Sequence, residues 1–409
     1  MKSITTIYRI GPGPSSSHTL ALKRACDAFK EKYPNIKSIN ATLVGSLALT
    51  GKGHFSDTII QSCFLPLECP VDFQLEWDQS YPHGFTLNAT LNTNEIVTWH
   101  IFSVGGGAFE VVEAPELIEK DVYDFENLNE LNRRLKLSNK SYAQYILEKE
   151  PTIINDLRPA YEAMKESVAN GLSAGGYVRG NLKVKRCGAA LYCKALQAKD
   201  PSEAQRLKVM AYAFAVAEEN ACGKQVVTSP TLGSCGVMAS LVYHYNMDLG
   251  YSDEAAIEAM AVAGLFGNIA RYNATVSGAV GGCQAEIGVA CAMGAAFVNA
   301  LLGCSNIQVE IAAEVAMEHH LGLTCDPIDG YVVVPCIERN SQAALRSIDA
   351  ALLARNISDI RDSKVSFDEV IHTMKYTGQK LPKELKETSL GGLAKIVVIR
   401  DHGKDISYD

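Results

Sequence analysis

Three cysteines stand where this chain could do chemistry. Cys283 lies in Gly-Gly-Cys-Gln-Ala-Glu, Cys325 in Leu-Thr-Cys-Asp-Pro and Cys336 in Val-Pro-Cys-Ile-Glu-Arg-Asn. The last two share one irregular stretch rich in Asp, Pro and Gly, and the first opens an Ala/Gly-rich helical pattern. Thiolates suit iron–sulfur clusters. A [4Fe–4S] cluster held by only three of them keeps one iron open to substrate as a Lewis acid. Gly281-Gly282 puts Cys283 at an expected helix start, where the dipole favours a thiolate. Pro327 and Pro335 stiffen the backbone near the other two. Three ordinary core cysteines are the competing account, since Cys is among the most buried residue types. No Cys-x-x-Cys occurs, which speaks against zinc ribbons, thioredoxin-type redox sites and common ferredoxin runs.

Two histidine loops lie far upstream. Gly11-Pro12-Gly13-Pro14-Ser15-Ser16-Ser17-His18-Thr19 precedes a helical pattern, and glycines, hydroxyls and a helix start together make an anion site. His18 adds a group that titrates near neutrality; a Ser-rich cap without ligand is the alternative. Gly45-Ser46-Leu47-Ala48-Leu49-Thr50-Gly51-Lys52-Gly53-His54 supplies a second imidazole, which Asp57 is spaced to orient. A loop histidine without a role is the alternative there. Ser229-Pro230-Thr231-Leu232-Gly233-Ser234-Cys235-Gly236, before an apolar helix, reads as a further anion-binding turn or a plain helix cap. Tyr81-Pro82-His83-Gly84 and Ser103-Val104-Gly105-Gly106-Gly107 read as turns bounding strands.

The elements that must position these residues fall into two regimes. Period-2 stretches at Ile39–Val44, Val71–Trp77, Thr86–Asn92 and Ile96–Val104 predict strands, with helices at Leu20–Lys32 and Asp57–Cys63. From Ser141 onward helical periodicities follow one another: Tyr142–Lys149, Ile154–Asn170, Pro201–Glu219, Val237–Tyr245, Glu254–Phe266, Cys283–Leu302, Val309–His320 and Ser341–Ala354. The charged stretch Glu126–Lys140 reads as the start of the crossing between them. The expected fold class is α+β: a mixed α/β domain over 1–145, then a larger all-α domain over 146–409 that carries the cysteines. With 409 residues, 47% apolar and 21% charged, the composition is that of a globular protein. A net charge of −8 argues against a nucleic-acid partner. The apolar run Ile287–Cys304 is short, rich in Ala and Gly, and carries Asn299, so a buried helix is expected in place of a membrane span. Twelve cysteines without an export signal at Met1–His18 imply a reducing, cytoplasmic setting.

These segments together resemble the iron–sulfur L-serine dehydratases (L-serine ammonia-lyases). The resemblance rests on Gly-Pro-Ser-Ser-Ser-His-Thr at 13–19, Gly-Ser-Leu-Ala-Leu-Thr-Gly-Lys-Gly-His at 45–54, Ser-Val-Gly-Gly-Gly at 103–107 and Leu-Lys-Val-Lys-Arg at 182–186. It continues through Gly-Cys-Gln at 282–284, His-Leu-Gly-Leu-Thr-Cys-Asp-Pro at 320–327 and Val-Pro-Cys-Ile-Glu-Arg-Asn at 334–340. It implies a [4Fe–4S] cluster on Cys283, Cys325 and Cys336, and β-elimination of water from L-serine to give pyruvate and ammonia. His54 is expected as the base, with His18 as runner-up or orienting partner. Ser15, Ser16, Ser17, Thr19, Ser46 and His83 are expected around the substrate, and a homo-oligomer, in its simplest form a dimer, is the expected assembly. The remaining cysteines are expected to be core or incidental thiols.

The chain also departs from that pattern. Tyr81-Pro82-His83-Gly84 stands where the family usually has His-Pro-Asn-Gly, and Leu20-Ala21-Leu22 where a Met-Gly-Pro-like run is common. Asp329 and Val280 stand where Gly and Glu are expected, and the acid at 329 is expected to alter the charge near Cys325. No cysteine follows Cys336 to cap the fourth iron, and an appended regulatory domain is not expected. These differences leave open a related lyase acting on L-cysteine or another small amino or hydroxy acid. A non-catalytic iron–sulfur sensor is a further alternative, which the two histidine loops argue against, and a zinc-binding structural protein is disfavoured by the missing paired knuckles.

Overall fold

The computed structural model describes residues 1–75 and 83–401, with side chains except at 83 and 398–401. Tyr81 and Pro82 lie outside the described residues, as does the side chain of His83.

The first half is a sheet covered by helices. Its elements are β1 (Ile10–Pro12), α1 (Ala21–Lys32), β2 (Ile36–Gly45), α2 (Ser46–Thr50), α3 (Ser56–Phe64), β3 (Val71–Gln74), β4 (His83–Leu91), β5 (Ile96–Gly105) and β6 (Ala108–Val111). The five-stranded sheet runs β3-β2-β4-β5-β6, parallel between β2 and β3 and antiparallel elsewhere. Burial alternates along β5, turning Val97, Trp99 and Ile101 inward and leaving His100 exposed. That is the period of a half-buried strand. α1 and α3 cover the inner face through Leu22, Phe29, Ile60 and Phe64, and the Phe29 ring meets Trp99 edge-on at 5.0 Å. β6 lies beyond the expected strands. It follows Gly105, Gly106 and Gly107, whose φ values of 96°, 59° and 77° allow the tight return.

The second half is helical. It comprises α4 (Leu128–Ser138), α5 (Tyr142–Lys149), α6 (Ile153–Ser173), α7 (Gly188–Gln197), α8 (Pro201–Ala221), then β7 (Gln225–Val227), α9 (Cys235–Tyr243), α10 (Asp253–Asn273) and the single turn α11 (Gly278–Gly281). α12 (Ile287–Leu301), α13 (Asn306–Glu318), α14 (Cys336–Ile357), α15 (Phe367–Lys380) and α16 (Gly392–Asp401) follow. α12 packs against α9, α10, α13 and α14 and is apolar all round, as a central helix must be. A Cβ at Gly294 would stand 2.5 Å from Ser347 Oγ and 2.6 Å from Leu241 Cδ1, so only glycine lets these helices approach so closely. Cys283–Leu301 is long and apolar enough to cross a membrane, yet 89% of its most apolar window is buried inside the protein, as expected for a core helix.

Element types follow the sequence closely, and boundaries less so. The expected helix Cys283–Leu302 begins only at Ile287, because Gly282 (φ 75°) breaks the backbone and Cys283–Ala285 form a separate 3-10 turn. α14 starts at Cys336, five residues before the expected Ser341. The charged crossing contains a true helix, α4, capped by Asn127 and buried through Leu128, Leu131 and Leu135. The two halves share the N-terminus. Met1, Ile4, Ile7 and Tyr8 join the helical core together with Tyr123, Phe125 and Leu128. β1 pairs antiparallel with β7, Ile10 opposite Val227.

Candidate active site

The three cysteines that are distant in sequence line one small pocket with Pro14, Ser15, Glu286 and Glu387. Each is placed by a different local structure. Cys283 sits in the 3-10 turn before α12. Cys336 is the first residue of α14, whose free N–H groups and dipole favour a thiolate. Cys325 is clamped by backbone pairing with the C-terminal stretch: its N–H donates to the Leu385 carbonyl at 2.9 Å, and the Glu387 N–H donates back to the Cys325 carbonyl at 2.7 Å. The Cys283 thiol is drawn down to about 6, first by a hydrogen bond from Cys325 and then by the Arg339 guanidinium. Burial and the charge on Cys283 push the Cys336 thiol up. Arg339, one turn into α14, also donates to the Thr324 carbonyl at 2.7 Å and to Asp326 at 3.3 Å. This donor set suits a group that takes three thiolates. Gly278 leaves it room, because a Cβ there would stand 3.2 Å from Cys325 Sγ and 2.5 Å from Glu286 Oε2.

The histidines adjoin this pocket. His18 and His54 are fully buried and stacked, with ring centroids 4.0 Å apart and planes 18° apart. Their neighbours assign the tautomers. Thr50 Oγ1 donates to the Ser46 carbonyl at 3.0 Å and so accepts from His18 Nε2 at 2.7 Å. His18 Nδ1 lies 3.1 Å from Ser15 Oγ and 3.8 Å from a Glu387 oxygen. His54 Nδ1 donates to the Thr50 carbonyl at 2.9 Å, which leaves Nε2 as the bare nitrogen; it is buried with no partner among the described residues. Burial holds the His54 pKa down at about 4, against the raising effect of that carbonyl, so the ring is neutral at physiological pH. One ligand atom each from His18, His54 and Glu387 lies within 4.8 Å of the others. Burial, and then the charge on Cys283, raise Glu387 to about 7. Burial also pushes Glu286 well above the carboxylate range, although it accepts from Thr231 Oγ1 at 2.8 Å.

Two family models divide the chain between them. The serine dehydratase beta chain matches residues 3–69, and the serine dehydratase alpha chain matches residues 84–394. An L-serine dehydratase of Helicobacter pylori is 37% identical over 96% of this chain and 98% of its own. One from Streptomyces coelicolor is 34% identical over 97% and 99%, and L-serine dehydratase 2 of Escherichia coli 32% over 98% and 100%. The chain belongs to the L-serine dehydratase family. It is therefore a lyase, made as one chain in which the beta-type and alpha-type parts are fused.

Within this family member the hydroxyls divide by what they hold. Ser15 lines the thiol pocket, so the N-terminal loop does reach the cysteines. Ser16 Oγ accepts from the Leu232 N–H at 2.7 Å and so ties the turn to the 229–234 loop, whereas Thr19 Oγ1 donates to the Pro12 and Ser15 carbonyls within the turn itself. Ser17 is buried in the same turn, and Ser46 Oγ reaches the Glu387 carbonyl at 3.4 Å. The His83 backbone pairs with Gly45 at the start of β4.

Two expectations are corrected. Asp57 does not orient His54. It sits in the first turn of α3 and pairs with Lys52, and the Thr50 carbonyl orients the ring. Asp329 does not face the cysteines either. It takes a left-handed turn (φ 51°) that exposes its side chain; the buried acids there are Asp326 and Glu387, with Glu286 lining the pocket. Glu387 carries no sequence signal, because it lies in a plain Lys-Glu-Thr run far from every motif. Arg339, by contrast, stood inside the Cys336 segment and could have been found there.

Proposed function

We propose that this protein removes water from L-serine, giving pyruvate and ammonia, with Cys283, Cys325 and Cys336 holding a [4Fe–4S] cluster. When bound, the cluster supplies a Lewis-acidic iron that polarises the C–O bond of the substrate hydroxyl. The observation that carries the reading is the bare, buried Nε2 of His54, on a ring grouped with His18 and with Glu387, which lines the thiol pocket.

His54 Nε2 takes the α-proton, and its Nδ1–H stays fixed on the Thr50 carbonyl, so the ring meets the substrate in one tautomer. His18 orients through Ser15 and Thr50, and the Ser15 hydroxyl binds a substrate carboxylate oxygen. Departure of the hydroxyl leaves 2-aminoacrylate, which tautomerises to the imine; hydrolysis of the imine releases ammonia. The low exposure of the pocket residues keeps water from competing for the base. The relatives named L-serine dehydratase support serine as the substrate, and the donor chemistry of the three thiols supports the cluster.

The test is anaerobic purification with iron and sulfide analysis, then release of 2-oxo acid from L-serine, L-threonine, L-cysteine and D-serine. Iron and sulfide in equal amounts with L-serine preferred is the expected result. Zinc without iron would overturn the cluster, and preference for L-cysteine would overturn the substrate.

A further inference from the structure

We propose that Cys26 and Cys63 are a modification site, closing to a disulfide when the protein meets a small-molecule disulfide. Both belong to the sheet half, apart from the three pocket cysteines. Cys26 lies on α1 and Cys63 on the last turn of α3, and these helices pack directly against each other over the sheet. Cys26 and Cys63 belong to the same buried core cluster, where α1 and α3 meet, and each thiol perturbs the other as a hydrogen-bonding neighbour. A third free thiol, Cys69, is nearby but turns its sulfur toward the Pro70 carbonyl, 4.0 Å away.

The three are chemically unequal. Burial raises Cys26 well above the usual thiol range and Cys69 to about 11, whereas the hydrogen bond from Cys26 lowers Cys63. Burial and the Asp27 carboxylate oppose that lowering, and the Lys23 and Lys30 ammonium groups add to it; Lys30 also donates to the Cys63 carbonyl at 2.6 Å. Cys63 is also the most exposed of the three, at 9% against 0% for Cys26 and 3% for Cys69. Cys63 is thus the attacking thiolate and Cys26 the resolving thiol.

The chemistry balances as two exchanges. The Cys63 thiolate attacks one sulfur of the added disulfide, whose S–S bond breaks to release one thiolate and leave a mixed disulfide on Cys63. Cys26 then loses its proton, its sulfur bonds to Cys63 Sγ, and the mixed disulfide breaks to release a second thiolate. The cysteines give up two electrons and two protons, and the small disulfide becomes two thiols.

α1 begins directly after the turn that holds His18, and α3 begins just after His54. The crosslink therefore fastens together the two helices that carry the histidine loops. That consequence rests on the role proposed for the histidines; the crosslink itself does not.

The test treats the cluster-loaded full chain anaerobically with 2-hydroxyethyl disulfide, alkylates the remaining thiols and maps the peptides by mass. A Cys26–Cys63 linkage as the main product, with Cys69 alkylated, is expected. Cys69→Ser is expected to crosslink as the wild type does, and Cys26→Ala to stop at the mixed disulfide on Cys63. A Cys63–Cys69 or Cys26–Cys69 linkage overturns the proposal. So does a native chain in which Cys26 and Cys63 stay alkylatable while the urea-unfolded chain reacts.

Discussion

Replacing His54 by Gln removes a titrating ring from a fully buried position while keeping an N–H that can reach the Thr50 carbonyl. Burial holds the ring at about 4 in the folded chain, against its ordinary value of 6.5. Between those two values the unfolded chain binds a proton that the folded chain refuses. Stability is therefore full above about pH 6.5 and is lost as pH falls toward about 4. One pH unit in that window is worth about 1.4 kcal/mol, so the fall from pH 6.5 to pH 5 removes about 2 kcal/mol. Glu387 works in the opposite sense. Its pKa of about 7 lies above its ordinary 4.5, so the folded chain takes up that proton first and gains stability as pH falls. The wild-type slope alone is then a difference of two terms, and only the comparison with the variant isolates the histidine. Urea unfolding of both chains, each stripped of metal, at pH 7 and pH 5 provides that comparison. The wild type is expected to lose about 2 kcal/mol more than His54→Gln over this interval. Equal losses would refute a neutral buried imidazole. The same variant, loaded with iron and sulfide, is expected to turn over L-serine about 10²–10⁴ times more slowly at unchanged iron content. Near-normal turnover would remove His54 as the base.

Three further outcomes are expected. Cys283→Ser, Cys325→Ser and Cys336→Ser should each lose bound iron and visible absorbance while circular dichroism stays that of the wild type; retention of full iron by any one of them would exclude that residue as a ligand. Gly278→Ala puts a methyl 2.5 Å from Glu286 Oε2 and 3.2 Å from Cys325 Sγ, so iron loading should fall by half or more, and loading equal to wild type would show that the wall can move. Ser15→Ala removes the hydroxyl that joins His18 to the pocket, and at about 1–2 kcal/mol for such a bond kcat/KM for L-serine should drop about 5–30-fold, with the iron content constant as the control.

Much of this was legible in the sequence, for identifiable reasons. The strands of the sheet and most helices declare themselves by period, because one face of each is buried and the other is not. Ser141, Ser305 and Ser366 form capping boxes with Gln144, Gln308 and Glu369, so the starts of α5, α13 and α15 are written in local chemistry. α14 was read too short because Cys336 and Glu338 break no rule of helix starts, yet neither advertises one. The cysteine and histidine loops carried their own signal through unusual Gly, Pro and Ser content. What the sequence could not show is pairing at a distance. Asp57 is three residues from His54, and local spacing favoured it as the orienting group. The tertiary fold instead brings Glu387 to within 4.8 Å of both imidazoles, from more than three hundred residues away.

The C-terminal stretch explains how the pocket becomes one site and not two neighbouring loops. Besides the backbone exchange between Cys325 and 385–387, Ser389 Oγ donates to the Pro327 carbonyl at 2.6 Å and the Leu393 N–H to Asp326 at 2.8 Å. Asp326 is held in turn by Arg339, which reaches Cys283, and Ser46 on α2 reaches the Glu387 carbonyl. The tail thus ties the Cys325 loop, the start of α14, the Cys283 turn and the histidine segment by polar contacts that need fixed backbone. Holding it requires left-handed geometry at Glu387 (φ 59°) and Ser389 (φ 56°), at a cost of about 1–3 kcal/mol each. A chain under pressure only for stability would place Gly there, as it does at Gly392 (φ 59°), where a Cβ would strike Asp326. Retaining a glutamate in a conformation that favours glycine, with its carboxyl buried against the histidines, is best accounted for by a use for that carboxyl. The backbone strain, the burial and the position group Glu387 with His18 and His54, and the part proposed for the two histidines extends to its carboxyl.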